Sequence, residues 1–199
     1  GRLTTGPAPR RVGTSTWKGI SAGNLHTCGV RDDDTLWCWG SNQWGEVGDG
    51  SGIAKPNPVQ IGTATWKSVD SRGDHSCAVQ TAGSLWCWGR NDSGELGIGA
   101  TGTRTPPAQV GTDTWRSVSI GGSRACGIRP DDTLWCWGAG YPGGSGDAFG
   151  NQRLVPTQVG TATFKSVSVA GHACAIASTD RLWCWGDNIA GQIGAGTTV

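Results

Sequence analysis

Leu36-Trp37-Cys38-Trp39-Gly40 returns as Leu85 to Gly89, Leu134 to Gly138 and Leu182 to Gly186, at spacings of 49, 49 and 48 residues. A second run keeps step with it. Val12-Gly13-Thr14, Ile61-Gly62-Thr63, Val110-Gly111-Thr112 and Val159-Gly160-Thr161 are each followed by Trp17, Trp66, Trp115 or Phe164 and then by Lys or Arg. The chain is therefore four copies of one unit, and the repeat has to be read before any local feature. Within the second unit four short strands are expected, at Trp66 to Val69, His75 to Val79, Leu85 to Trp88 and Pro106 to Val110, separated by turn residues. A period near 50 with four strands per unit is the signature of a β-propeller blade, a small sheet that buries both faces against its neighbours. The Trp-Cys-Trp alternation has the same cause. Successive side chains point to opposite faces, so Trp37 and Trp39 pack one neighbour while Cys38 faces the other.

The fold class expected is all-β, a single domain over 1–199 with units at about 12–60, 61–109, 110–158 and 159–199 plus 1–11. Gly1 to Gly13 resembles the piece that precedes each later Val-Gly-Thr, so an N-terminal strand is expected to complete the fourth blade and close a four-bladed ring without a free edge. The rival is an eight-bladed ring built by two chains exchanging terminal strands, a homodimer.

Composition agrees with this class. The 199 residues include 35 Gly, 12 Trp and 8 Cys, no Met, and only 16% charged residues, which fits a turn-rich β protein and not a helical bundle. Net charge is +1 with both signs mixed along the chain, so no basic stripe exists for a phosphate backbone and nucleic acid is not expected as a partner. No window of about 18 apolar residues predicts a membrane span, and the polar Gly1 to Gly13 is not a retained signal peptide. The missing initiator Met fits a processed secreted chain or a trimmed one.

Each unit carries two Cys ten residues apart: Cys28 with Cys38, Cys77 with Cys87, Cys126 with Cys136, and Cys174 with Cys184. The repeat places each pair on two strands joined by a short turn, so four disulfides within blades are expected, each stabilising by roughly 2 to 3 kcal/mol. Oxidised pairs imply a secreted, periplasmic or other extracellular location. Zinc is the competing use of these cysteines, but no Cys-x-x-Cys occurs.

At Gly23 to Cys28 (Gly-x-x-His-x-Cys, shortened at Gly171 to Cys174), at the Leu-Trp-Cys-Trp-Gly strand, and at the Asn-x-x-Gly-Glu/Gln-hydrophobic-Gly turn (Asn42 to Gly48, Asn91 to Gly97, Asn188 to Gly194), the sequence resembles the regulator of chromosome condensation (RCC1) repeat family, its bacterial secreted members in particular. The resemblance implies the propeller fold and little about function. Family members include a nucleotide-exchange factor for a small GTPase, a secreted β-lactamase inhibitor and a plant UV-B photoreceptor. None of these activities transfers directly. Seven blades are the family's habit and this chain has four, and blade packing accounts for the repeated Trp without light sensing.

Candidate chemistry is sparse. His26, His75, Arg124 and His172 take the same place at the start of the second strand in all four units. Near a ring axis the three histidines are a weak metal candidate, set against hydrogen bonding to a neighbouring backbone. Asp32 to Asp34, Asp131 and Asp132 look like paired carboxylates but sit in hairpin turns, where Asp is favoured for local backbone bonds. Arg72-Gly73-Asp74 spells an adhesion tripeptide that arises easily by chance in a Gly-rich chain. No hydrolase elbow of the Gly-x-Ser-x-Gly kind is present, and no phosphate loop or dinucleotide glycine pattern in a strand-to-helix setting. No catalytic residue and no cofactor are therefore expected.

Function in a repeat protein shows where copies disagree. Trp44 stands where the other turns carry Ser93 or Ala190, and the third unit replaces the Asn-x-x-Gly turn by Gly138 to Gly150, with Tyr141, Asp147 and Phe149, and Arg153 beside them. Trp44, Tyr141, Phe149, Asp147 and Arg153 are the expected ligand-binding residues of a rim patch, since aromatics on rigid loops anchor sugars by stacking or proteins by burial. Two binding readings follow: a lectin-like module with an equivalent site on each blade, or a ligand or inhibitor of an extracellular protein through one patch. An enzyme working through a carboxylate or histidine of the third unit is a third reading.

Overall fold

The computed structural model describes residues 8–140 and 151–198, with the backbone alone at 103–105. All its regular structure is β. The first blade pairs β1 (Trp17–Ala22), β2 (His26–Arg31), β3 (Leu36–Gly40) and β4 (Lys55–Gln60) in chain order, each antiparallel to the next. The second repeats this with β5 (Trp66–Arg72), β6 (His75–Gln80), β7 (Ser84–Asn91) and β8 (Gly102–Thr114). β9 (Ser117–Ile120), β10 (Arg124–Ile128) and β11 (Thr133–Gly138) begin the third, and the long β12 (Arg153–Val169) serves two blades. Its first part pairs with β11, and from Phe164 to Val169 it pairs with β13 (His172–Ala177), which in turn pairs with β14 (Leu182–Gly186). The four strands expected in the second unit are all present, each longer by one to several residues. Among the described residues no helix is long and apolar enough to cross a membrane.

Turn chemistry sets the register. In the β2–β3 turn Asp34 adopts φ 66°, as Asp132 and Asp180 do in the third and fourth blades, a left-handed conformation that Asp tolerates better than most side chains. Asp33 Oδ1 accepts from the backbone N–H of Thr35 at 3.0 Å, and Asp131 does the same for Thr133 at 3.1 Å. The Thr35 and Thr133 hydroxyls, which donate to the same oxygens at 2.6 Å, and then these backbone bonds hold both carboxyls below the usual range. The turn fixes the pairing that sets Cys28 opposite Cys38, and each of the four cysteine pairs is disulfide-bonded with Cα atoms 4.1 Å apart.

Alternation along the third strand builds the core. Leu36 and Cys38 leave one face of the first blade, and they bury against Trp66, Ala78 and Trp88 of the second. The next interface repeats this with Leu85 and Cys87 against Trp115 and Trp137, and the third with Leu134 and Cys136 against Phe164 and Ala173. Each interface therefore joins the Leu/Cys face of one blade to the Trp face of the next. The indole N–H of Trp88 donates to the Glu46 carbonyl across the interface at 2.8 Å, and Trp137 to that of Glu95 at 2.9 Å.

The expected closure of a four-bladed ring is not formed by the described residues. Residues 8–16 contain no strand, β14 remains an edge, and no apolar core joins the fourth blade to the first. The reason is geometric. Arg10, Arg11 and Val12 line one pocket with Trp17 and Trp39 of the first blade, next to the entry to β1, and no described strand pairs with the outer edge of β14.

Candidate functional site on the loop face

Every β1–β2 turn and β3–β4 loop, with its counterparts in later blades, emerges at one end of the blades. Backbone bonds tie each turn to its loop: Ser41 N–H to the Leu25 carbonyl at 2.7 Å, Arg90 to Asp74 at 2.9 Å and Ala139 to Ser123 at 2.8 Å. Asn42 organises the first loop by accepting from Val47 N–H at 3.0 Å and donating to Asp49 at 2.8 Å. Asn91 and Asn188 accept in the same way from Leu96 and Ile193. Asp49 joins this frame: burial pushes its carboxyl up, but bonds from Lys55, Ser51 and Asn42 outweigh it and hold the pKa at about 2. The Asn-x-x-Gly turn is thus a self-supporting scaffold for whatever side chains it presents.

In the first blade those side chains are apolar and exposed. Leu25 is 76% and Ile53 67% exposed, and their backbone carbonyls accept from neighbouring residues, Leu25 from Ser41 N–H and Ile53 from the Asn42 amide at 3.2 Å. Two residues on stands Trp44. The Arg90 guanidinium lies 5.2 Å from its ring centroid, held by Asp92 at 2.7 Å and Asp74 at 3.7 Å. The Asp92 bond raises the Arg90 pKa further, so the cation is permanent. Arg90 was missed by sequence reasoning, although it too is private to its copy, replaced by Ser41, Ala139 and Asp187 elsewhere. A cavity of about 660 Å³ opens at the same end between the third and fourth blades, lined by Ser123, Arg124, Asp187 and Asn188 among others.

Of the other expected binding residues, Arg153 starts β12 at this end of the third blade, paired with Gly138. Tyr141, Asp147 and Phe149 lie outside the described residues. The remaining Trp residues belong to the repeat, some with a stacked Arg, as where Arg31 lies 3.5 Å above Trp37 and Arg129 3.6 Å above Trp135.

The histidine positions turn inward. His26 Nε2 and Ser76 Oγ share a hydrogen bond of 2.8 Å across the first interface, so its partner is a side chain of the next blade. His75 is fully buried, and both ring nitrogens lack a partner among the described residues, where Ala125 stands in the place from which Ser76 serves His26. Burial, with the neighbouring His26 charge acting the same way, lowers the His75 pKa to about 3. Burial lowers His26 to about 4 against a partly opposing Asp74. Among the described residues no group of three or more His, Cys, Asp or Glu is placed to hold a metal ion. In the Arg72-Gly73-Asp74 tripeptide, Arg72 Nη1 donates to the Val169 carbonyl at 2.9 Å and Asp74 faces Arg90, so both charges are engaged within the chain.

The comparisons agree with this architecture. In three dimensions the chain matches human WBSCR16 with a TM-score of 0.84 at 19% identity, covering 96% of this chain and 52% of that one. It matches Prp20p of Saccharomyces cerevisiae at 0.81 and 20% identity, over 94% and 49%. The ectodomain of the receptor kinase CR4 of Physcomitrella patens follows at 0.62 and 23%, over 93% and 44%. This chain thus spans about half the length of those solved proteins. Among curated proteins none matches its sequence. Two models of the regulator of chromosome condensation (RCC1) repeat match, one at residues 17–45, 66–95 and 167–192, the other at 33–79 and 82–127. The chain belongs to the RCC1 repeat family.

Proposed function

We propose that the chain is a non-catalytic binding module of an oxidising, extracellular compartment that takes a protein partner on the loop face of its first two blades. The observation that carries this reading is the Leu25, Ile53 and Trp44–Arg90 patch. Exposed aliphatic side chains on a hydrogen-bonded frame, beside an aromatic with a stacked Arg and a rim of carboxylates, have the composition of a protein interface. One half-buried indole with an Arg over its ring offers a sugar less, since stacking needs an open aromatic face. Protein binding also fits what is stated of similar folds: Prp20p has binding properties to Gsp1p and histones, and Kap60 is bound to yeast RCC1. The four disulfides support the oxidising compartment.

The test compares the parent with Leu25→Asp, Trp44→Ala and Arg90→Ala, and with Asp131→Asn at the opposite end as a control. Proteins captured from the extracellular fluid around the source cells are expected to be lost with the first three and kept with the fourth. Labelled protein is applied to a glycan array in parallel. A sugar ligand whose binding Leu25→Asp leaves unchanged overturns the reading in favour of a lectin.

A further inference from the structure

Arginine sits on tryptophan at matching places in two of the blades. The Arg31 guanidinium lies 3.5 Å from the Trp37 ring centroid and 5.1 Å from that of Trp17, and Arg129 repeats the arrangement at 3.6 Å from Trp135 and 5.1 Å from Trp115. The second blade keeps both rings, as Trp86 and Trp66, but Gln80 follows Val79 where Arg31 follows Val30 and Arg129 follows Ile128. Trp66 pairs with Gln80 as Trp17 does with Arg31. The acid goes with the base: Arg129 donates to Asp113 at 2.5 Å, and Ala64 takes the place of Asp113 in the second blade.

The exchange leaves space over the indole. A cavity of about 260 Å³ opens between the first and second blades, lined by Ile61, Ala64, Trp66, Gln80, Trp86 and Pro107 among others. Both of its walls are internal to the chain, one from each of two neighbouring blades. At the next junction the matching cavity of about 250 Å³ is lined by Val110, Asp113, Arg129 and Pro156 among others, so the guanidinium meets the open space and Trp135 lies beneath it. In the second blade Trp86 meets the space itself. Gln80 Oε1 accepts from Ser84 Oγ at 2.8 Å, and the same hydroxyl accepts from the Trp86 indole N–H at 3.1 Å, which ties the Gln80 amide to the N–H edge of the ring.

We propose that this cavity binds an arginine side chain of a partner protein, whose guanidinium takes over Trp86 the place that Arg31 and Arg129 take over Trp37 and Trp135. Indole is the best aromatic partner of a cation, and a planar guanidinium stacks on its face. The acid at position 113 is dispensable to the stacking, because Ser15 stands in its place in the first blade and Arg31 still lies 3.5 Å from its ring. Ile61 and Trp66, with Pro107, give apolar walls that suit the methylene stem of arginine. None of the described lining residues is charged, so the ammonium and carboxylate of a free amino acid find no counter-charge, and the fitting form is a side chain carried on a peptide backbone. The cavity shares no residue with the Leu25, Ile53 and Trp44–Arg90 patch, so the two sites stand or fall separately.

The test titrates the full, non-reduced chain with N-acetyl-arginine amide and, in parallel, with its neutral isostere N-acetyl-citrulline amide, following the indole N–H signals by NMR. The Trp86 signal is assigned by its loss in Trp86→Phe. It is expected to shift and to saturate in the millimolar range, with arginine held about tenfold more tightly than citrulline, since the half-buried ring lies between the exposed and the desolvated regimes of a cation–π contact. Gln80→Arg restores the residue type of the first and third blades and is expected to abolish the response, because the chain's own guanidinium then covers the ring. Arg129→Gln makes the opposite change and is expected to add a second saturating signal at Trp135. No saturating shift at Trp86, equal responses to arginine and citrulline, or an arginine response that Gln80→Arg leaves intact overturns the proposal. So does an Arg129→Gln variant in which Trp135 stays silent.

Discussion

Acidification from about pH 7 to about pH 5 is expected to cost the fold about 4 kcal/mol through two buried histidines. Burial holds His75 at about 3 and His26 at about 4, while both return to about 6.5 in the unfolded chain. A pKa depressed on folding means that the unfolded state takes up the proton first, so stability is lost as pH falls below about 6.5. At about pH 5 each unfolded imidazole is almost fully charged and each folded one almost fully neutral, and RT ln(1 + 10^1.5) gives about 2 kcal/mol per residue. The low folded values make this figure insensitive to their exact position. The carboxyls of Asp33, Asp49 and Asp131 are depressed as well, but their contribution is present above about 3.9 and lost only below it. Glu95, raised by burial, acts in the opposite sense at the lower end of the window. Urea unfolding at the two pH values is the assay. With a slope of about 2 kcal/mol per molar, the midpoint moves down by about 2 M. His75→Leu removes one ionising group and halves that movement to about 1 M. A parental midpoint that moves by less than about 0.5 M, or a His75→Leu variant as acid-sensitive as the parent, would refute the reasoning.

The same position gives a stabilising change. Ala125→Ser supplies His75 with the hydroxyl that Ser76 gives His26, and is expected to raise unfolding stability at neutral pH by about 1 kcal/mol; no gain would show that the buried ring is satisfied otherwise. Replacing Cys126 and Cys136 together by Ala opens a loop of ten residues, with an expected loss of about 3 kcal/mol in the loop-entropy account. A thermal melt then shifts down by about 6 to 12 °C for a chain of this size, and an unchanged melt would remove the disulfide from the stability of the third blade.

The repeat made most of the architecture legible. Leu-Trp-Cys-Trp-Gly encodes by its period of two which side chains enter each interface, and the ten-residue cysteine spacing across a short Asp turn encodes the staple. Closure was not legible, because the likeness of residues 8–12 to the fourth strand of each blade says nothing about whether those residues reach β14. The loop face was half legible. Trp44 stood out as the Trp without a counterpart, but Leu25 and Ile53 look like ordinary core residues in a sequence, and only the structure reveals that both are exposed, with their backbones bonded to Ser41 and Asn42. The orphaned His75 required the alignment of one blade's histidine with the next blade's Ala125, a relation across an interface that no single copy displays.

Binding at the loop face of the first two blades is tested most directly by hydrogen exchange of the chain with and without its captured protein partner. The account predicts added protection at residues 23–25, 41–54 and 90–94, with the β2–β3 turns around Asp33 and Asp131 unchanged. Protection confined to those turns, or spread evenly over all four blades, would contradict it.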